Sequence, residues 1–462
     1  MTQETAQQNT LESLDPATGL PVGSVPRASA TDVAAAVARA REAQAAWAAA
    51  PIAERGARVT RFAEALAAEA DTLGALVTAE MGKTLRSGVG EVKGYASGLA
   101  DEVASVQRAL APESPESKTQ DVTVFREPLG VVAAIAPWNF PVGMPLSILV
   151  PALVAGNTVV FKPSEHTPLV GQRLAELLGA ELPEGVLEIV HGAGDVGAAL
   201  VDADVDMVAF VGSRDTGAAI MRAAAGGLKR LVLELGGKDP LVVFDDADLE
   251  GAAKCAVEHS LRNTGQVCCS IERVYVADAI ADAFEERVVE LSRAWTHGDP
   301  TAKGVKMGPL VSAEQRARVE AQVREAAAAG ARVALGGETP DGPGNFFPAT
   351  VLLEVAQSNP ITHAETFGPV VAVTRFDGSE DEAVRLANDT IYGLGANVWT
   401  GDAERAERVA RRIRAGQVGV NRYLGGTSTT PWVGARQSGF GFLGGADGHR
   451  QFTVPKTVAR AR

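Results

Sequence analysis

Apolar residues recur along the chain in two patterns, and each pattern predicts a different kind of element. Near the N-terminus they recur at helical spacing, and Thr31 or Asp32 can cap the helix that this spacing predicts. The apolar positions of this helix are Val33, Val37, Ala40, Ala43 and Trp47. A second helical stretch covers residues 53–80. The N-terminal part of the chain is therefore predicted to be helical.

From residue 131 onward, short and continuously apolar runs alternate with helical segments. Strands are predicted at residues 131–136, 158–161, 187–190, 207–211 and 231–235, with helices at 142–155, 169–178, 195–201 and 216–225 between them. Continuous apolar runs indicate strands buried on both faces, and hence a parallel, doubly wound α/β sheet. Such a sheet binds its ligands at the carboxyl ends of its strands.

Two further regions complete the predicted architecture. A second alternating stretch, from about Gly236 to about Phe442, predicts another α/β lobe. Residues 113–130 are polar and then alternating, which is typical of a projecting hairpin, and residues 451–458 are also strand-like. Paired with each other, these two segments would form a small sheet, which we expect to lie between subunits.

Composition matters mainly for what it excludes. At 462 residues the chain exceeds what one hydrophobic core usually supports. It has no run of about eighteen apolar residues, so we expect no membrane span. The N-terminus lacks the basic and apolar regions of a secretory signal, and only three cysteines are present, so we expect a cytoplasmic protein with reduced thiols. A net charge of −14 argues against a nucleic-acid partner.

The pair Cys268 and Cys269 is the first candidate for chemistry. It lies in the segment SLRNTGQVCCSIER, among small and polar residues after a predicted helix. A cysteine needs such a partly open, polarised setting to act as a nucleophile. The alternative is that both thiols are small buried hydrophobes, which is the commoner role of an arbitrary cysteine.

Several separated motifs decide between these interpretations. They are PWNFP at residues 137–141, KPSE at 162–165, ELGGK at 234–238, N-x-G-Q-x-C at 263–268, E-x-F-G-P at 365–369 and YGL at 392–394. In sequence and in order they resemble the motifs of the NAD(P)-dependent aldehyde dehydrogenase superfamily, across nearly the whole chain. Each motif alone is weak evidence, whereas their joint order is highly specific.

The resemblance implies a catalytic set of three residues. Cys268 is implied to be the nucleophile, Glu234 the general base, and the Asn139 amide an oxyanion donor together with the backbone N–H of Cys268. The implied reaction oxidises an aldehyde to a carboxylic acid through a thioester. Donors placed where negative charge develops suit the first step, and a base that activates water suits the second.

The resemblance also implies NAD as the cofactor, with NADP possible. Lys162 and Glu165 follow the second predicted sheet strand, where an acidic group binds a ribose 2′-hydroxyl and repels a 2′-phosphate, which favours NAD. The pyrophosphate is expected at the helix start in F-x-G-S-x-x-x-G, at residues 210–217. The implied cofactor contacts are Pro137, Trp138, Lys162, Ser164, Glu165, Gly212, Ser213, Gly217, Leu235, Gly236, Glu365 and Phe367. The G-x-G-x-x-G string at residues 192–197 follows a later strand and is not taken as a dinucleotide fingerprint.

From these motifs the chain is expected to have the aldehyde dehydrogenase-like fold. Residues 1–112 and 130–236 are assigned to a doubly wound, parallel-sheet NAD(P)-binding domain, and residues 237–445 to a second α/β catalytic domain. Residues 113–129 and 446–462 are assigned to a small β flap for oligomerisation. The resemblance implies a homodimer or homotetramer and no metal ligand.

Two positions depart from the family pattern. Many members have a lysine in the helix after PWNFP and a glutamate in a C-terminal S-G-x-G-R-E string, which are thought to relay protons to the base. The corresponding positions hold Ile148 and Leu443. Replacing both charged residues destabilises the protein less than replacing only one of them, because the remaining charge would be buried without a partner. We therefore expect slow deacylation and a pre-steady-state burst of reduced cofactor.

Other functions and the substrate remain open at this point. A CoA-acylating dehydrogenase would need no base, which Glu234 argues against, and a catalytically idle homologue would not need the complete catalytic set. Pocket walls are expected from the helix with Met144 and Ser147, from the neighbours of Cys268, and from residues 422–431. Arg262 or Arg422 can attract a carboxylate or can serve as a surface ion-pair residue. A semialdehyde and an aliphatic or aromatic aldehyde are both compatible with the sequence.

Overall fold

The computed structural model describes residues 10–426 and 429–462. Residues 1–9, which carry the expectation about a signal segment and the start of the first predicted domain, lie outside the described residues. So do residues 427–428 of the predicted pocket wall. None of the helices in the described parts is long and apolar enough to cross a membrane.

The chain begins with a hairpin and a group of helices. The antiparallel hairpin consists of β1 (Thr10–Leu14) and β2 (Pro21–Pro26). The helices are α1 (Ala30–Ala49), α2 (Ile52–Ala68), α3 (Ala70–Met81) and α4 (Leu85–Ala109). The predicted stretch 53–80 is thus two helices, because the chain breaks at Glu69, and α4 was not predicted.

The predicted cap of α1 was wrong by a few residues. Ser29 is the cap, and its hydroxyl accepts a hydrogen bond from the backbone N–H of Asp32. The Asp32 carboxylate in turn accepts from the backbone N–H of Ser29. This reciprocal capping box satisfies two N–H groups that the helix leaves free, so Asp32 belongs to the first turn rather than to the cap.

A six-stranded sheet follows, as the continuous apolar runs predict. Its order is β17-β8-β7-β4-β5-β6, and all pairs are parallel except β17 with β8. The strands are β4 (Val131–Ile135), β5 (Thr158–Lys162), β6 (Leu187–Ile189), β7 (Met207–Val211), β8 (Arg230–Glu234) and β17 (Gly439–Phe440). The connecting helices are α5 (Gly143–Ala155), α6 (Pro168–Gly179), α7 (Gly194–Asp202) and α8 (Arg214–Ala224). Apolar cores lie on both faces of this sheet.

A second, seven-stranded sheet has the order β11-β12-β13-β10-β9-β14-β15 and is parallel except for β11 with β12. The strands are β9 (Asp239–Val243), β10 (Ile271–Ala277), β11 (Arg332–Leu335), β12 (Thr350–Leu353), β13 (Val370–Phe376), β14 (Gly395–Trp399) and β15 (Gln417–Val420). The helices are α9 (Leu249–Leu261), α10 (Ala281–Arg293), α11 (Ala313–Ala328), α12 (Glu380–Asn388) and α13 (Ala403–Arg412). The predicted second α/β lobe corresponds to this sheet and its helices.

The remaining strands form small sheets near the C-terminus. β3 (Gln120–Pro128) pairs antiparallel with β19 (Thr453–Ala461), which confirms the pairing expected for these two segments. β16 (Trp432–Val433) pairs with β18 (Phe442–Leu443), and α14 (Gly445–Arg450) precedes β19. Because β17 joins the first sheet, the chain returns to β8 after completing the second sheet.

Candidate active site

One cavity of about 690 Å³ lies between the two sheets. It is bordered by the carboxyl ends of β4, β5, β7 and β8 and by loops that precede β10 and β13. The predicted site residues that line it are Pro137, Trp138, Asn139, Lys162, Ser164, Glu165, Gly212, Ser213, Glu234, Leu235, Gly236, Cys268, Glu365 and Phe367. Motifs spread along the chain therefore meet at one place.

Gly217 is the predicted residue that does not line the cavity. It lies in α8, where an added Cβ would be 2.5 Å from the Leu235 side chain. A glycine is thus needed there for close packing of α8 against the turn after β8. Gly217 supports the cavity wall from behind, and its contact with a cofactor stays a prediction.

The loop before Cys268 has an unusual backbone that explains its sequence. Asn263 and Thr264 have left-handed φ values of 56° and 58°, and Gly265 follows at 71°. A Cβ on Gly265 would lie 2.0 Å from the carbonyl oxygen of Gly368, so only glycine fits. The Gln266 amide donates to the Asn263 carbonyl and accepts from the backbone N–H of Val311. These contacts present Cys268, which is half-buried, to the cavity.

The second thiol lies behind the first. The Tyr423 hydroxyl contacts the carbonyl oxygen of Cys269 at 2.7 Å and its Sγ at 3.1 Å. The Tyr423 ring stacks on His259 with 3.5 Å between the ring centroids. A hydrogen bond to Cys269, together with burial, raises the pKa of the Cys268 thiol, and the same bond lowers the pKa of Cys269 to about 7. Cys268 therefore rests as a neutral thiol. Tyr423 lies in the pocket wall expected at residues 422–431, but the sequence analysis assigned it no individual role because it belongs to none of the motifs.

Asn139 is tied to the loop that carries Cys268. Its side-chain Nδ2 donates to the Gln266 carbonyl at 3.1 Å, and its own carbonyl accepts from Asn263 Nδ2 at 3.2 Å. The side chain is buried and lines the cavity. The amide that the sequence assigns to oxyanion stabilisation is thus held beside the nucleophile loop.

Glu234 ends β8 and is 4% exposed. Neither carboxyl oxygen has a hydrogen-bond partner of good geometry among the described residues. Burial raises the pKa of Glu234 well above its ordinary value, and the nearby backbone N–H of Leu443 opposes this shift only in part. Ile148 and Leu443, at the positions of the missing charges, are both buried. Burial therefore favours the protonated form of this carboxyl, and no described residue holds it in one orientation.

A second carboxyl, Glu365, faces the turn after β8. It accepts a hydrogen bond from the backbone N–H of Gly237 at 3.0 Å. A Cβ on Gly236 would lie 2.3 Å from the Glu365 carboxyl oxygen, which explains the need for glycine in ELGGK. Burial, reinforced by the charge of Glu272, raises the pKa of Glu365 to about 8. Unlike Glu234, this carboxyl is fixed in place.

The nucleotide side of the cavity is built by short turns after strands. Buried Lys162 lies 3.7 Å from the Glu165 carboxylate, and Ser213 caps α8 by accepting from the N–H of Thr216. Gly194 and Gly197, in the first turn of α7, also line the cavity. The G-x-G-x-x-G string, set aside in the sequence analysis, thus borders the site. Two helix starts that present N–H groups, with an acidic side chain nearby, fit the phosphates and ribose of a dinucleotide.

The opposite side of the cavity is apolar around the nucleophile. Val267, Cys269 and Leu394 form a buried cluster, against which Phe140, Cys268, Tyr423, Leu424 and Trp432 pack. Met144 lines the cavity, and Ser147 donates to the Met144 carbonyl. On the cofactor side, Trp138 and Phe367 meet edge to face, with 5.5 Å between ring centroids.

The two arginines considered from the sequence are both exposed, and neither lines the cavity. Within residues 10–426 and 429–462 no carboxylate lies within ion-pair distance of Arg262, which is near His259 and Cys269. Burial of the His259 ring and the positive charge of the nearby Arg262 guanidinium together lower the pKa of His259 to about 4. Arg422, by contrast, donates through Nε to the carbonyl of Tyr423.

Comparison with known proteins identifies the family and the fold to which these elements belong. The model of the "Aldehyde dehydrogenase family" matches residues 3–458. The chain is 40% identical to a betaine aldehyde dehydrogenase of Bacillus subtilis, covering 88% of this chain and 84% of that protein. It is 40% identical to 3,6-anhydro-alpha-L-galactose dehydrogenase of Streptomyces coelicolor, covering 98% and 93%. The structure of a Staphylococcus aureus betaine aldehyde dehydrogenase in complex with NAD+ matches with a TM-score of 0.94 and 33% identity, covering 99% of this chain and 92% of that chain.

Proposed function

The chain belongs to the aldehyde dehydrogenase family and oxidises an aldehyde to a carboxylic acid with NAD(P)+, and on that premise we propose how its residues divide the work. Cys268 is the nucleophile, Asn139 the oxyanion donor and Glu234 the general base. The observation that carries this assignment is that all three line the cavity that also holds the predicted dinucleotide contacts.

The first half of the reaction forms a thioester. The sulfur of Cys268 attacks the aldehyde carbon, and the thiol proton passes to water in the cavity as the carbon–sulfur bond forms and the carbonyl π bond breaks. The carbonyl oxygen becomes an alkoxide, which the Asn139 amide and the backbone N–H of Cys268 stabilise. Bound NAD+ supplies the acceptor for the hydride that then leaves the carbon. A thioester on Cys268 remains.

The second half releases the acid. Glu234, once ionised, removes a proton from water, and the resulting hydroxide displaces the Cys268 sulfur from the acyl carbon. Because apolar Ile148 and Leu443 supply no charged relay, the Glu234 proton must leave through the solvent of the cavity. Deacylation is therefore the slow step, and the first turnover is faster than those that follow.

NAD is proposed as the preferred form of the cofactor. The support is Glu165, which lines the cavity and keeps a partly exposed carboxylate beside buried Lys162. A carboxylate accepts hydrogen bonds from ribose hydroxyls and repels a 2′-phosphate. NADP is expected to bind more weakly.

For the substrate, an aldehyde with an anionic group at its far end is proposed. The support is Arg262, which lies near the apolar cluster around Cys268 and pairs with no described carboxylate. An exposed guanidinium without a partner attracts a carboxylate that enters from solvent. Succinic semialdehyde and butanal, which share chain length and differ in charge, are the informative pair.

A homodimer or homotetramer assembled through the β3–β19 sheet is also proposed. Both strands are nine residues long, and among the described residues this two-stranded sheet pairs with no further strand apart from a single bridge between Glu113 and Val124, so its edges favour pairing with another chain. A reducing, cytoplasmic location is proposed because all three cysteines are free. Light scattering during size-exclusion chromatography tests the assembly.

The main test is a panel of aldehydes with NAD or NADP, followed by the absorbance of the reduced cofactor and run without CoA. We expect turnover without CoA, faster with NAD, and a higher kcat/KM for succinic semialdehyde than for butanal. Strict dependence on CoA would overturn the assignment of Glu234. Equal kcat/KM values for the two aldehydes would overturn the proposed substrate class.

A further inference from the structure

A buried ion pair lies next to the site but lines none of the cavity. Lys83 is in the short connection between α3 and α4, and Glu91 is in the second turn of α4. Their side chains are 2% and 3% exposed, and Lys83 Nζ lies 2.5 Å from Glu91 Oε2. Both charges are removed from water, so each depends on the other and on the groups around it.

The pair contacts the segment that follows Asn139 at two points. Glu91 Oε1 accepts hydrogen bonds from the backbone N–H groups of Val142 and Gly143, at 3.0 and 2.9 Å. Lys83 Nζ lies 4.0 Å from the centroid of the Phe140 ring. The carboxylate thus holds the start of α5, and the ammonium group holds the residue directly after Asn139.

The other side of Asn139 is held by the nucleophile loop. Asn139 makes one hydrogen bond to Gln266 and receives one from Asn263. These two bonds hold only the Asn139 end of the segment that runs from Asn139 to the start of α5. The Lys83–Glu91 pair fixes the opposite end, so the Asn139 amide is held between the two.

We propose that Lys83 and Glu91 are positioning residues that set the Asn139 amide relative to Cys268. The inference rests on the oxyanion role proposed for Asn139. An oxyanion donor must meet the position where the charge develops, and a displacement of about 1 Å can cost about 10²-fold in rate. An ion pair that fixes both Phe140 and the start of α5 limits such displacement.

The chain contains a matched control. Glu80, near the end of α3, is also buried, and its two oxygens accept from the backbone N–H groups of Leu169 and Val170 at 3.0 and 2.7 Å. It thus holds the first turn of α6 as Glu91 holds the first turn of α5. α6 carries no residue of the proposed catalytic set. Glu80→Gln therefore perturbs the same kind of contact away from the reaction.

The test compares Glu91→Gln, Lys83→Met and Glu80→Gln by stopped-flow formation of the reduced cofactor at saturating NAD. We expect the burst rate to fall about 10- to 100-fold in the first two variants. The Kd for NAD, from quenching of tryptophan fluorescence, should stay within about twofold of the wild type. Glu80→Gln should lower the Tm and leave the burst rate unchanged. Should a single variant not fold, Lys83→Met/Glu91→Gln leaves no unpaired charge and is measured in its place.

A double-mutant cycle separates this inference from the function on which it rests. If Asn139→Ala slows the burst and Glu91→Gln slows it no further in that background, the positioning role is supported. If Asn139→Ala has no effect on the burst, the oxyanion role itself fails. If Asn139→Ala slows the burst while Glu91→Gln and Lys83→Met change only the Tm, the pair is purely structural and the positioning inference is overturned.

Discussion

Two buried lysine–glutamate pairs support the cavity from different sides. In each pair the glutamate accepts hydrogen bonds from two consecutive backbone N–H groups of a segment beside the cavity. Glu91, paired with Lys83, accepts from two consecutive backbone N–H groups after Asn139. In the second pair, Lys238 Nζ lies 2.6 Å from Glu272 Oε2. The oxygens of Glu272 also accept from two consecutive N–H groups, those of Thr366 and Phe367, at 2.8 and 2.9 Å.

The pairs differ in what their lysines contact next. Lys83 lies against the Phe140 ring, whereas Lys238 donates to the Thr366 hydroxyl at 3.0 Å. The first pair supports the segment proposed to stabilise the oxyanion, and the second supports the loop of Glu365 and Phe367 on the cofactor side. The reacting end and the cofactor end of the cavity are thus held by separate ion pairs, and we expect that each end can be disrupted alone.

The largest expected effect is at the reacting end. Cys268→Ala removes the nucleophile, and we expect aldehyde oxidation to fall by at least about 10⁴-fold. The Kd for NAD, from fluorescence titration, should remain near that of the wild type because the cofactor side is untouched. Oxidation at the wild-type rate in this variant would remove the proposed mechanism. A large loss of NAD affinity would show that the two ends are not independent.

The second largest effect is expected for Glu234→Gln. This variant should slow the hydrolysis of the thioester, which follows the burst of reduced cofactor. We expect steady-state turnover to fall about 10²- to 10⁴-fold while the first turnover keeps its amplitude. In the wild type, the raised pKa of Glu234 means that the ionised base becomes more abundant as the pH rises. Turnover should therefore increase with pH on the alkaline side of neutrality and lose this dependence in the variant. Loss of the burst itself would place Glu234 in the first step instead.

Lys238→Met tests the cofactor end directly and is the partner experiment to Lys83→Met. Removing one member of a buried ion pair costs about 3–5 kcal/mol of stability, so the Tm should fall. We expect the KM for NAD to rise about tenfold, a change of about 1.4 kcal/mol. The burst rate at saturating NAD should be nearly normal. If Lys238→Met slowed the burst as Lys83→Met does, the two pairs would not serve separate ends.

The smallest effect is expected at the edge of the cofactor side. Glu165→Gln removes the charge that is proposed to repel a 2′-phosphate, and the preference for NAD over NADP in kcat/KM should fall about tenfold. Activity with NAD and saturating aldehyde should change little. Ser164, which lines the same wall and is uncharged, offers a control through Ser164→Ala. An unchanged preference in Glu165→Gln would mean that other groups select the cofactor.

The sequence predicted the parts of the site that depend on local motifs. Strand–turn–helix patterns located the carboxyl ends of the strands, and the motifs placed Cys268, Glu234 and Asn139 at one cavity. Lys83 and Glu91 could not be found in this way. They act through burial and through contacts with Phe140, Val142 and Gly143, which lie about fifty or more positions away along the chain. No local pattern encodes such a contact.

The other differences have physical causes of their own. Thr31 and Asp32 are both residue types that cap helices. Ser29 is the cap instead, because the Asp32 carboxylate then accepts a hydrogen bond from the backbone N–H of Ser29. The packing role of Gly217 could not be predicted, because only the folded structure shows the Leu235 side chain against it. Gly194 and Gly197 were not expected at the site, because their G-x-G-x-x-G string follows a later strand of the sheet. The doubly wound sheet nevertheless brings the start of α7 to the same edge as the start of α8.

The pairing of β17 with β8 has a consequence for synthesis of the protein on the ribosome. Gly439 lies opposite Glu234, so the strand that ends in this carboxyl, which is already paired with β7, gains its second neighbour only after residues 235–439 have also been synthesised. Cys268 is incorporated into the chain well before Gly439. A nascent chain therefore contains Cys268 before the environment of Glu234 is complete, and the hydrolytic half of the site is assembled only once β17 has been synthesised.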